Sequence, residues 1–458
     1  MSGAKPDISN LKKCTEDIVR AALESDFGPD DPTDYNQLLD RLQASQTKLP
    51  PLYCQEFFHP FVSKLDGLGQ TGFTKILLRD PGRVSDAGLM LDITHSILQN
   101  GEGFNEKATD SFQEVCSDLY DGFLSAEDRK GVQPPDRGVI APLVKWGRPD
   151  DGPYTWPVDA TSIFGCKAAV VNVPPANARS GLLAWAALGH ETAGHDILHA
   201  DTGLSQEITK AVQNALEDQG LNDGLPEYWS SRIDETASDV CGILNMGPAA
   251  GIGLIGYFRG LNKAFGGEPK LRNLGGRRDP HPADILRGYL AAQTVRLLSF
   301  GEANDWAQII EAETNKDLSS VVLGDNKIPS EKAKKSAQIV ASTIFNTKAE
   351  SLENHALGEI QNWHNSDEEI VKEELIPLLT SVGTVPSELA EGIFAAHVVA
   401  AAVEAALSKD ADISSIFSRM LGILKIMHDK NSSWGPMFVR QPGNIYRNMV
   451  YPVFDSKT

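Results

Sequence analysis

Apolar residues recur at helical spacing from Leu11 to about residue 127, as in Ile18, Ala21 and Ala22 or in Leu89, Leu91, Ile93, Ile97 and Leu98. This period predicts a helical N-terminal region. Residues 131–165 break it with Pro134, Pro135, Pro142, Pro149, Pro153 and Pro157 among Gly and Asp. Such punctuation predicts long surface loops that mark a boundary or wall a cleft. The apolar run 168–173, closed by Pro174 and Pro175, is the clearest strand in the chain, so a small sheet is expected. Helical periodicity resumes near Arg179 and passes through Leu182, Leu183, Trp185, Ala186 and Leu188 into a histidine-rich segment. Further helices are predicted over about 228–244 and 283–298. From residue 302 onward helical stretches separate at Asn315, Gly324, Gly383 and Lys409, so the last third reads as wholly helical. The aromatic stretch 434–454, which contains Pro and Gly, is expected to strap across the fold.

Together these elements describe a mainly α protein with a small β-sheet, an α+β architecture. A length of 458 residues suggests two or three domains at roughly 150 residues each. The expected division is a helical N-terminal region 1–140, a central region 141–300 that carries the candidate chemistry, and a helical C-terminal region 301–458.

Charge narrows the partners. A net charge of -20 argues against nucleic acid, whose binding relies on clustered Lys and Arg. The short basic runs, Lys332 to Lys335 and Arg277-Arg278, read as a solvated helix face and a loop. Cys14, Cys54, Cys116, Cys166 and Cys241 are scattered without CxxC spacing, which points to reduced thiols. The polar first residues show no secretory hydrophobic run, so a cytoplasmic location is expected. The best membrane candidate, 392–407, is short of the roughly 20 apolar residues a span needs and carries His397 and Glu404, so it reads as a buried helix. Gly251, Gly253 and Gly256 match GxGxxG in form, but no strand precedes them and dinucleotide binding is not expected.

The segment His190-Glu191-Thr192-Ala193-Gly194-His195-Asp196-Ile197-Leu198-His199 interleaves three of the chain's 10 histidines with two carboxylates. Hydrolytic zinc sites need imidazole or carboxylate ligands, an open position, and a nearby carboxylate to take a proton. Two registers meet that need. In one, His190 and His195 are ligands and Glu191 is the base. Positions five apart on a regular helix diverge by about 140°, so the helix must absorb a residue, for instance as a π-bulge, which Gly194 would ease. In the other, His195 and His199 are ligands at i, i+4 and the shorter Asp196 stands where the base would be. Downstream, Glu235 and Asp239 share a helix face, so one can bind metal while the other orients a ligand imidazole.

The pair His190-Glu191-Thr192-Ala193-Gly194-His195 and Asp234-Glu235-Thr236-Ala237-Ser238-Asp239 resembles the H-E-x-x-G-H and E-E-x-x-A-E/D signatures of the dipeptidyl peptidase III family of zinc metallopeptidases. Asp234 and Ser238 stand where that pattern has Glu and Ala. The resemblance covers about a quarter of the chain, from Cys166 to about Leu290. It implies one zinc ion held by His190, His195 and Glu235, with Glu191 as general base and Asp239 as partner to a ligand imidazole. It also implies a zincin-like helix pair and a peptide substrate.

Two further features suit a peptidase. The strand 168–173, if exposed, would let an extended peptide add by backbone hydrogen bonds; it reads equally well as a core strand. His281, before the predicted third helix, is the candidate donor to an oxyanion, with Arg287 or Tyr257 behind it. The rival readings are a ferrous two-His, one-carboxylate enzyme using His195, His199 and Glu235, and a metal-stabilised binding protein without catalysis.

Overall fold

The computed structural model describes residues 5–25, 28–125, 132, 135–137, 140–149, 152–381, 383, 389 and 392–435. The architecture is mainly α with small sheets. In the N-terminal region α1 (Leu11–Ala22), α2 (Asp86–Glu102) and α3 (Glu106–Ser125) follow the apolar period. On α1, for example, Leu11, Cys14, Ile18 and Ala21 are turned to the core.

The region 131–165 departs from the loop expectation. Leu143–Trp146 (β1) and Tyr154–Trp156 (β2) are strands there, joined by Val170–Val173 (β3) in a sheet of order β1-β3-β2. The prolines that suggested loops stand outside these strands, where the missing N–H interrupts no ladder. β3 pairs parallel with β1 and antiparallel with β2, and all four of its residues are buried. The predicted strand is therefore the covered centre of the sheet, and β1 and β2 are its edges.

The histidine segment continues from α4 (Leu182–Leu188) as a π-helical stretch, Gly189–Asp196, and a last turn, Ile197–Ala200. Against it lies α5 (Ile233–Ala264), longer than the predicted 228–244. α5 kinks at Gly247, whose φ is 59°, ahead of Pro248, which has no N–H to donate. An added Cβ on Gly247 would lie 2.6 Å from the Trp363 ring, so only glycine fits. The GxGxxG segment lies within α5, where Gly251 and Gly256 admit Ile310 and Leu183 to close contact.

α6 (Asp284–Leu297) and α7 (Ala303–Asp317) pack on α5, and the wholly buried α8 (Ala395–Leu407) lies alongside it. By length and composition α5 could cross a membrane, but 94% of its apolar window is buried inside the fold. The last third is not wholly helical. Gly324, with φ 60°, turns a hairpin between Val321–Leu323 and Asn326–Ile328, and Lys348–Ala349 pairs with His355–Ala356. Trp434 packs edge-on against Tyr53, with ring centroids 5.2 Å apart; residues 436–454 of the expected strap lie outside the described residues. All five cysteines are free thiols.

Candidate metal centre

The π-helical stretch solves the geometric problem posed by His190 and His195. A wider turn returns residues five apart to one side of the helix. Their Nε2 atoms stand 3.1 Å apart. Gly194 lies within the π-helical stretch and is also where the segment touches α5. A Cβ on Gly194 would lie 2.4 Å from Ser238 Cα, and one on Gly189 would lie 3.1 Å from Gly242 Cα. Small residues on both helices let the two backbones approach, and that approach carries the acidic first turn of α5 to the histidines.

Glu235 is the third member. Its Oε2 lies 3.4 Å from His190 Nε2, and its Oε1 lies 3.6 Å from His195 Nε2. Each imidazole is oriented from behind by a carboxylate. His190 Nδ1 is 2.9 Å from Asp239 Oδ1, and His195 Nδ1 is 3.1 Å from Asp234 Oδ2. Carboxylates accept, so both Nδ1 atoms donate and both Nε2 atoms face the shared space. Behind Asp239, Arg287 on α6 donates from Nε and Nη2, each at 2.7 Å, and lies over the Phe258 ring. Behind Asp234 stands His199, whose Nε2 is 2.9 Å from Asp234 Oδ1 and whose Nδ1 is 3.2 Å from Asp159.

The donor chemistry fits a divalent cation. The two Nε2 atoms, 3.1 Å apart, need a positive charge between them, which either a proton or a metal ion supplies. Glu235 Oε2 is buried and has no hydrogen-bond partner among the described residues, with His190 Nε2 at 3.4 Å and Arg287 Nη1 at 3.6 Å as its charged neighbours, so it has a lone pair to offer a ligand. The donor atoms of His190, His195 and Glu235 lie within 4.8 Å of one another, so this group can hold a metal ion. The surrounding carboxylates favour positive charge at this place. Burial alone would push the His190 imidazole down, but Asp239 and Glu235 bring it up to about 10. Burial would raise Glu235, yet His190 and Arg287 hold it well below the carboxylate range.

The group opens on a cleft of about 510 Å³. Glu191, Tyr257, His281 and Arg287 also line it. Glu191 is held by Thr155, whose hydroxyl donates to Oε2 at 2.7 Å. Tyr257 is buried, and burial together with the Glu191 charge raises its phenol. His281 is half-exposed at the rim, with Nε2 3.4 Å from Glu235 Oε1. His199, the alternative ligand, is outside the donor group, and Asp196 is buried away from the cleft with both oxygens unpartnered among the described residues.

Sequence reasoning missed Thr155, Asp159 and the cleft-side role of β2. The one available signal was Tyr154-Thr155-Trp156, aromatic and β-branched residues set between Pro153 and Pro157. The apolar wall facing β2 was also missed: Leu254, Phe258, Leu261 and Phe265 line the cleft at helical spacing. Comparisons with protein-family models, with curated proteins and with solved structures find no match to this chain.

Proposed function

We propose that this chain is a zinc-dependent hydrolase, a metallopeptidase with Glu191 as its general base. One juxtaposition carries the reading: the donor group His190, His195 and Glu235 shares a cleft with Glu191, a carboxylate outside that group, borne by the same π-helical turn as both histidines. Zinc held by those three residues would supply Lewis acidity, lowering the pKa of water toward about 7 and polarising a carbonyl.

The remaining work falls to the protein's own groups. Glu191 takes a proton and passes it to the leaving amine. Asp239 and Asp234 keep the imidazoles in the tautomer that presents Nε2. His281 and Tyr257 are the donors available to a developing oxyanion. A peptide would lie extended along the edge strand β2, its side chains against the apolar wall of α5. On this reading the π-helical segment and α5 form a zincin-like pair, and the roles implied by the resemblance to dipeptidyl peptidase III carry over to His190, Glu191, His195, Glu235 and Asp239. Two histidines and one carboxylate also suit ferrous iron; a carboxylate held in the cleft by a hydroxyl is what hydrolysis requires, and it favours zinc.

The test pairs zinc content with turnover of a peptide library. Glu191→Gln is expected to keep about one zinc per chain while kcat/KM falls at least about 100-fold. Full activity in that variant would remove Glu191 from the mechanism.

A further inference from the structure

We propose that Asp92, a carboxylate on α2 outside the cleft, positions Glu191 through the edge strand, with Thr155 as the residue that makes the contact. The inference rests on the hydrolytic reading for its consequence, but not for its geometry.

β2 is three residues long and, among the described residues, pairs with β3 alone, so its backbone hydrogen bonds hold it weakly. Alternation along a strand places Tyr154 and Trp156 on one face and Thr155 on the other. Both flanking side chains converge on one oxygen of the buried Asp92. Tyr154 Oη donates to Asp92 Oδ2 at 2.7 Å, and Trp156 Nε1 donates to the same atom at 2.8 Å. Lys145 on β1 donates to the other oxygen, Oδ1, and ties the clamp to the neighbouring strand. The residue between the clamped pair is therefore fixed in height and direction.

That residue is Thr155. Its Oγ1 lies 2.7 Å from Glu191 Oε2 and 3.2 Å from the Glu191 carbonyl oxygen. The hydroxyl has one proton, and the shorter, charge-assisted bond takes it. One carboxylate oxygen of Glu191 is thus committed to β2, and the carboxylate can present the other to the reacting water. A displacement of about 1 Å at a catalytic group can cost roughly 100-fold in rate, which sets the scale of the effect.

Two measurements on the zinc-loaded full chain test this. In the first, Thr155→Val removes the hydroxyl at constant shape and Thr155→Ser keeps it. The expected result is that Thr155→Val lowers kcat about 10- to 100-fold with KM and zinc content little changed, and that Thr155→Ser recovers most of the loss. Wild-type kcat in Thr155→Val, or equal loss in both variants, would overturn the assignment. The second needs no turnover: amide hydrogen exchange in Asp92→Asn is expected to rise in both 152–157 and 189–196 while the 303–317 helix is unchanged. A rise confined to 152–157 would break the proposed link. Coupled exchange in a protein that cleaves no peptide would leave the positioning chain standing and remove the hydrolase reading instead.

Discussion

Helix α5 carries two buried guanidinium–carboxylate clusters, and they differ in what they leave unfinished. Near its C-terminal end, Arg259 donates to Asp317 at 2.7 Å, to the Glu313 carboxylate at 2.8 Å and to the Glu313 carbonyl at 2.9 Å. That cluster is closed, a bracket between α5 and α7. In the first turns of the same helix, Arg287 satisfies Asp239 just as fully, but Asp239 is shared with His190, whose Nε2 points away toward His195. Glu235 Oε2 is left without a hydrogen bond among the described residues. Buried polar groups are normally paired within the fold, so a cluster left open beside a cleft is a place where a ligand can complete the set.

The largest effect expected from testing that contrast is on stability at the closed cluster. Among the described residues, Arg259→Met leaves Glu313 with Lys316 alone and Asp317 with the Leu271 N–H alone, and denaturant unfolding is expected to show a loss of about 3 kcal/mol with zinc stoichiometry unchanged. Zinc loss in folded Arg259→Met would erase the distinction between the two clusters. Next comes Asp239→Asn, which weakens the orientation of His190 and is expected to reduce zinc affinity about 10- to 100-fold in a chelator competition. Unaltered affinity would show that Asp239 does not serve the centre.

The smallest effects separate the clusters by pH, measured as thermal melts of the metal-free protein. Asp159 and Asp234 hold His199 up to about 10, above its ordinary 6.5. Its contribution is then complete below pH 6.5 and fades as pH rises through about 10, so His199→Gln should cost more at pH 6 than at pH 10. Burial would raise Glu313, but Lys316 and Arg259 hold it below its ordinary 4.5. That contribution is present above pH 4.5 and lost in acid, so Glu313→Gln should cost more near neutrality than below the folded value. The same cost for His199→Gln at both ends would contradict the Asp159–His199–Asp234 chain. Zinc is expected to remain bound in that variant.

The helices were legible because helical amphipathicity is a local pattern repeated over many turns. Short strands are not. β1 and β2 have four and three residues, too few for alternation to outweigh the surrounding prolines, and Gly324 looks alike between two helices or in a hairpin. The histidine cluster was legible for the same local reason, including the need for an extra residue in the helical turn. The two possible registers were indistinguishable along the chain, because the rings' directions depend on Asp239 and Asp234, 49 and 39 residues away.

What the sequence determined by itself was therefore the helical framework, the residue types of the donor group and the local distortion that five-residue spacing demands. The tertiary structure alone decided which histidines converge, that Gly194 serves helix contact with Ser238, and that a three-residue edge strand delivers Thr155 to Glu191 across 36 positions of chain. Periodicity encodes which face of an element is buried; it does not encode which distant face covers it, and the candidate centre is built from those distant contacts.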